Sequence, residues 1–384
     1  MVETITARRL ITDSAVVEFP VLTIATDGTI AEIASDPTAL AREVDTLAAA
    51  FVDVHTHGAM GHDVMSASPE QLGEMQRFLA GHGVAHYLPT TATTSIDSTL
   101  RALERLAAAI EAESHEGEAQ PIGVHLEGPF LSHAKRGVHP AHELQPPSIT
   151  LFDRFHQAAR GHILLMTIAP ELPGALDLIR HARSLGVKVS LGHSNALAAE
   201  TLAAIEAGAN SATHTFNAMR PIDHREPGIL GIVLDDDRLF AELICDGIHV
   251  APPLVRLWLK AKGLDRAILV TDAMSASGMP DGEYRLAGLS VQVSNGRAQV
   301  AEDLAQGRQT LAGSLLTLDR GVSNLQSFAR ASLAVATRLA SHNPAAMLGK
   351  PEITRITEGG VANLNRFDAA DRLSATYLCG RILN

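Results

Sequence analysis

The stretch VDVHTHG, residues 52–58, sets two imidazoles two positions apart at the end of a short apolar run, which a glycine then breaks. Residues two apart on a strand share a face, so His55 and His57 are expected on the same side of a buried strand. A chain with 18 histidines places some of them close together by chance. A lone histidine at a strand end is usually a hydrogen-bonded structural residue. The reading therefore turns on whether other strands end in ligand-type residues, and at the same end.

Short apolar, β-prone runs recur near 51–57, 84–90, 121–127, 162–169, 187–193, 209–216, 240–246 and 267–272. Most are separated by helix-patterned stretches such as SPEQLGEMQRFLAGHG, STLRALERLAAAIEAE and NALAAETLAAIEAGA. Ser68 before Pro69 predicts an N-cap followed by proline in the first turn. Strands alternating with helices eight times over roughly 250 residues predict an α/β fold, a TIM-like (β/α)8 barrel. The connection after 209–216 is less helical than the others, and the turn-rich residues 279–311 predict hairpins over or beside the barrel. Both ends of the chain are β-prone and punctuated by turn signals such as Thr26-Asp27-Gly28. They predict one small β-sandwich domain built from residues 1–48 and 346–384, with the barrel at 49–345.

The bulk properties narrow the function. The 384 residues are 46% hydrophobic and 19% charged, ordinary for a well-cored globular chain. A net charge of −12 argues against non-specific nucleic-acid binding, while leaving room for a small anionic substrate in a locally basic pocket. Cys245 and Cys379 are too few for a disulfide framework and suit a reducing compartment. The first residues lack the apolar core of a signal peptide, and no apolar run has the length of a membrane span. A soluble, cytoplasmic protein with no membrane partner is expected.

Functional residues of such a barrel lie at the C-terminal ends of its strands. Here the first strand ends in His55 and His57, the third in Glu127, the fifth in His193 and the eighth in Asp272, while the sixth carries His214 near its end. Imidazole nitrogen and carboxylate oxygen suit Zn²⁺ or another divalent transition metal. With no thiolate among them, a catalytic site is expected rather than a structural one. A carboxylate near the metal can take a proton from the attacking water and pass it to the leaving group. Asp272, which follows a purely apolar strand, is best placed for this. His82 and His86 flank the entry of the second strand and read as structural. His125 shares a face with Glu127 one layer deeper, and His62 follows the first loop with nothing to fix it.

VDVHTHG, HLEGPFL, LGHSNA, THTFNAM, REPG, CDGIHV, VTDAM and TLAGS occur in this order from about residue 50 to 320. Together they resemble the N-acetylglucosamine-6-phosphate deacetylase family of the amidohydrolase superfamily. HxH alone is common to many amidohydrolases, whereas HLEGPF with HxxNAM and REPG is far more specific. The resemblance implies metal ligation by Glu127, His193 and His214, with Asp272 as general base and acid. His55 and His57 match a position at which family members differ, and their presence leaves room for a second metal, with Glu127 bridging. His139 matches the histidine near the acetyl group, with Val138 beside it. Asn217 and Ala218 match residues of the sugar site, Arg225 and His249 the pair that holds the 6-phosphate, and Leu311, Ala312 and Gly313 a segment closing over the substrate. The implied partner is a small phosphorylated amino sugar. A homodimer follows from phosphate pockets that draw on a neighbouring subunit. Arg220-Pro221 departs from the smaller or apolar residue expected after Met219. The implied reaction is hydrolysis of an acetamide, with His139 helping to stabilise the oxyanion. The basic loop 131–140, with its glycine, is expected to move as a lid.

Two rivals are weaker. A cyclic-amide hydrolase commonly bridges two metals with a carboxylated lysine on the fourth strand, but HILLMTIAPE holds no lysine and Lys188 stands at the entry of the fifth strand. A barrel that had lost catalysis would be expected to lack a ligand or the proton-transfer carboxylate, and none is missing.

Overall fold

The computed structural model describes residues 3–39, 45–113 and 115–383. Residues 1, 2, 40–44 and 384, which the sequence reading places in the small β domain, lie outside the described residues, as does Ser114. Eight parallel strands form the barrel: β1 (Phe51–Thr56), β2 (Val84–Thr91), β3 (Val124–Glu127), β4 (Ile163–Ile168), β5 (Lys188–Leu191), β6 (Ser211–Ala212), β7 (Phe240–Ile244) and β8 (Ala267–Val270). Each pairs with its neighbour in chain order from β1 to β8. The ring closes by backbone bonds between the chain just past β8 and that at β1, Asp272 N to His55 O (2.8 Å) and His57 N to Ala273 O (2.7 Å). The seam of the barrel thus runs through three of the residues singled out above.

The strands are covered on both faces, which explains why they read as near-continuous apolar runs. All eight residues of β2 and all six of β1 are buried. The intervening helices follow from their caps and stripes. In helix Pro69–Gly81, Ser68 Oγ accepts from Gln71 N while Gln71 Oε1 accepts from Ser68 N, a reciprocal capping box with proline in the first turn. The sixth strand is the exception. It has only two residues, after which a loop carries His214 to Pro227 before helix Gly228–Asp235 resumes the pattern.

The turn-rich insertion forms an antiparallel sheet of Gly282–Leu286, Leu289–Ser294 and Arg297–Val300. Its apolar side packs with Met274, Ala312 and the half-buried Val138, so it lies against the loop that follows β3. Two further sheets between them draw on both termini. One is ordered 381–382, 373–378, 364–367, 46–49, 9–11 and 16–18, and the other joins 3–6, 20–24 and 30–35. Ile5, Leu22 and Ile30 of the second meet Leu10, Leu47 and Leu364 of the first in one buried cluster, the core of a sandwich. Met347 and Leu348 pack with barrel residues Val52, Val54 and Leu165. Among the described residues, no helix is long and apolar enough to cross a membrane.

Candidate functional site

The C-terminal ends of the strands converge on one buried polar cluster. Glu127 Oε1 lies 3.5 Å from His55 Nε2, 3.3 Å from His193 Nε2 and 3.2 Å from His214 Nε2. Its Oε2 lies 3.3 Å from His57 Nε2 and 3.6 Å from His139 Nε2. Asp272 Oδ1 stands 3.2 Å from His57 Nε2 and 3.5 Å from His55 Nε2.

What each histidine can do follows from the partner on its far side, from which its tautomer is assigned. His55 Nδ1 faces the Glu242 carboxylate at 3.1 Å, His57 Nδ1 the Thr90 carbonyl at 3.0 Å and His193 Nδ1 the Lys135 carbonyl at 3.0 Å. Those acceptors take a hydrogen bond from Nδ1–H, so in the neutral ring each Nε2 keeps its lone pair aimed into the cluster. His139 is the reverse. Its Nδ1 accepts from the backbone N–H of Thr93 at 3.2 Å, so a neutral ring carries its proton on Nε2 and presents a donor.

This donor set fits a cation. His55 and His57 bring Nε2 atoms within 3.3 Å of each other, and His193 and His214 within 3.0 Å. Glu127 Oε1, buried among these nitrogens, makes no hydrogen bond of sound geometry among the described residues. With neutral rings the site sets acceptor against acceptor, which is costly when buried, and a divalent ion between them removes the conflict. The ligand atoms of His55, His57 and Asp272 lie within 4.8 Å of one another, as do those of Glu127, His139 and His193. Two ion positions separated by Glu127 are compatible with this layout.

The charges show a site that draws in positive charge, here as protons on imidazole. Burial works against ionisation of Asp272, but the His55 and His57 imidazoles prevail and hold its carboxyl at about 2. Burial likewise opposes protonation of His57, and hydrogen bonds to Asp272 and Glu127 prevail, raising it to about 9. The backbone is strained where side chains must turn inward. His193 has φ 47°, His214 φ 29° and Asp272 φ 49°, a region that costs a non-glycine residue on the order of 1–3 kcal/mol. Gly137, at φ +57°, comes so close that an added Cβ would sit 3.2 Å from His193 Cε1.

Above the cluster is a cavity of about 330 Å³. His57, Glu127, His193, His214 and Asp272 form its floor, and Val138, His139, Asn217, Ala218, His249, Leu311 and Gly313 its walls. Asn217 Nδ2 donates to His214 O at 3.1 Å, and His249 Nδ1 lies 2.7 Å from Asp246 Oδ2. His55 lies beneath the floor, fully buried. Two residues named from the sequence are not brought to the wall. Ala312 is buried in the packing under the inserted sheet, and Arg225 is exposed on the loop past β6. Lys135, Leu286 and Thr310, which the sequence reading did not name, line the cavity. Glu242 was also missed; a lone carboxylate within the apolar run FAELI was its available signal. A groove of about 370 Å³ on the outside of the barrel, beside helices Pro69–Gly81 and Ile96–Glu111, is slightly larger, but among the described residues no histidine cluster converges on it.

Residues 46–378 match the amidohydrolase family. The chain is 37% identical over 350 residues to N-acetylgalactosamine-6-phosphate deacetylase of Escherichia coli O157:H7, covering 91% of this chain and 90% of that protein. It is 38% identical over 301 residues to N-acetylglucosamine-6-phosphate deacetylase of Bacillus subtilis (strain 168), covering 78% and 74%. Among solved structures, that of the Mycobacterium smegmatis N-acetyl-D-glucosamine-6-phosphate deacetylase D267A mutant in complex with N-acetyl-D-glucosamine-6-phosphate superposes with a TM-score of 0.92. That pair is 33% identical, and 99% of each chain is covered.

Proposed function

The chain belongs to the amidohydrolase family, and from that premise we propose that it removes the acetyl group of N-acetylglucosamine 6-phosphate, releasing glucosamine 6-phosphate and acetate in amino-sugar catabolism. The observation that carries the chemistry is Glu127 Oε1, buried against the Nε2 atoms of His55, His193 and His214 at 3.2–3.5 Å with Asp272 beside them. The substrate rests on the relatives and on the cavity of about 330 Å³ above the cluster.

Glu127, His193 and His214 would hold one divalent ion, zinc by donor type, and His55 and His57 a second, with Glu127 between them. Such an ion, when bound, supplies Lewis acidity to the amide carbonyl and acidifies the attacking water. Asp272, ionised at neutral pH, takes the proton of that water and returns it to the nitrogen as the C–N bond breaks. His139 donates from Nε2 to the carbonyl oxygen, where negative charge develops. Asn217 and the backbone at Ala218 and Leu311 line the sugar. His249, held through Nδ1 by Asp246, meets the phosphate. Arg225, exposed on its own chain, completes the phosphate site of a neighbouring subunit in a homodimer, where a guanidinium can bind two phosphate oxygens at once. The loop 131–140 closes over the substrate and excludes water.

A second reading has a specific observation in its favour, the E. coli relative named for the galactosamine epimer. The test measures acetate release from N-acetylglucosamine 6-phosphate, N-acetylgalactosamine 6-phosphate and unphosphorylated N-acetylglucosamine. The proposal expects the first to be turned over best and the last barely. A preference for the galactosamine epimer moves the substrate assignment, and release from none of them overturns it.

A further inference from the structure

Glu242 sits in the middle of β7, a strand with every residue buried, and is itself fully buried. Among the described residues it meets no arginine or lysine; its ion-pair partner is His55. Oε2 accepts from His55 Nδ1 at 3.1 Å and from the backbone N–H of His214 at 3.2 Å, while the buried Oε1 has no hydrogen-bond partner. A carboxylate this deep and only half satisfied is expensive, and the strand would pack more favourably with an aliphatic residue. Its presence calls for a return elsewhere.

We propose that Glu242 is a positioning residue that fixes His55 with Nδ1 protonated and Nε2 turned inward, and so makes the His55–His57 pair competent to hold a second divalent ion. This rests on the reading that these histidines are metal ligands. An imidazole that binds a metal through one nitrogen must present a lone pair there, and a carboxylate behind the other nitrogen both selects that tautomer and makes the ligand more basic. His57 and His193 use neutral backbone carbonyls for the same purpose. Of the histidines around Glu127, His55 alone is backed by a carboxylate, and it alone lies wholly beneath the cavity floor, facing both Glu127 and Asp272. A site for one ion needs only Glu127, His193 and His214 and gains nothing from a buried carboxylate behind His55. The competing role is structural: through its bond to the His214 N–H, Glu242 would only steady the strained backbone there, at φ 29°.

The test titrates wild-type protein, His55→Asn, Glu242→Leu and Glu242→Gln with buffered Zn²⁺ and counts ions per chain by mass spectrometry, with folding checked by circular dichroism. Glu242→Leu is expected to weaken the second ion roughly 10–100-fold and leave the first as in wild type. Glu242→Gln, whose amide oxygen still accepts from Nδ1–H, should fall between. An equal loss of both ions assigns Glu242 the structural role and overturns the proposal, as does Glu242→Leu binding both ions like wild type while His55→Asn loses one. A wild-type protein whose full complement is retained by His55→Asn removes the metal reading of His55, and the proposal with it. Should Glu242→Leu not fold, ¹⁵N-histidine spectra of zinc-loaded wild type decide, with His55→Asn to assign the signal. A proton on His55 Nδ1 is expected, and a proton on Nε2 would refute the proposal.

Discussion

His139 is the residue for which two readings of the site disagree most sharply. Its ligand atom lies within 4.8 Å of those of Glu127 and His193, which by proximity alone makes it a metal ligand. Its hydrogen bond from Thr93 N to Nδ1 says otherwise, because the proton of a neutral ring is then on Nε2, the atom that faces Glu127 at 3.6 Å. His139→Ala separates the two. As a donor to the carbonyl oxygen, its removal should cost on the order of 10²–10³ in kcat, about 2.7–4 kcal/mol of transition-state stabilisation, with little change in KM. The ion content of the protein should not move. Steady-state acetate release and ion counts on the same preparation give both numbers. Loss of an ion from His139→Ala, or a fall in kcat of less than about tenfold, would refute the tautomer argument. His139→Gln, whose amide can donate, should recover part of the lost rate.

Three further outcomes are expected. Asp272→Asn removes the proton acceptor while keeping the shape, so turnover should fall by about 10²–10⁴ with bound ions retained; unchanged turnover would exclude Asp272 as the base. His86, buried and without a charged partner among the described residues, is pushed by burial down to about 4 from an ordinary 6.5. Its depressed folded-state pKa means that the stability it contributes is fully present above pH 6.5 and is lost as pH falls toward 4, a span of about 3 kcal/mol. His86→Gln should flatten that acid limb in urea melts, and an identical pH slope would refute the assignment. Leu126, fully buried between His125 and Glu127, faces the helical layer rather than the cavity; Leu126→Ala should cost about 2–5 kcal/mol in a urea melt and leave KM unmoved.

The barrel was legible because its signal is periodic. Parallel strands covered on both faces are largely apolar, so VDVHTH, VHLE and AILV stand out, and the polar residues at or just past their ends mark the C-terminal face. His55, His57, Glu127, His193, His214 and Asp272 all converge as that logic demands. Residues whose contribution lies in the backbone or in a second contact were not legible. Lys135 presents its carbonyl to His193, Thr93 its N–H to His139, and neither role depends on its side chain. Glu242 looked like one residue of a strand because its partner, His55, is far away in sequence. Arg225 is the opposite case: its motif is clear in the sequence, and within its own chain it stands exposed and away from the cavity.

These features have a common cause. A strand alternates its side chains, so a barrel can aim only every second residue at its axis, and a single short site needs more ligands than alternation supplies. β1 solves this by length, placing His55 and His57 two apart on one face. The fifth, sixth and eighth strands solve it by stopping. The chain leaves regular β structure just before His193, His214 and Asp272, each of which takes a left-handed backbone that turns its side chain back over the floor. That conformation carries no benefit for packing and costs energy at every one of the three positions. It persists because closing bonds such as Asp272 N to His55 O and Ser132 N to His193 O hold the turns from both sides. The rigid seam of the barrel is therefore part of the chemistry: it keeps lone pairs, carboxylates and one imidazole donor in opposition at separations that an unconstrained chain would relax.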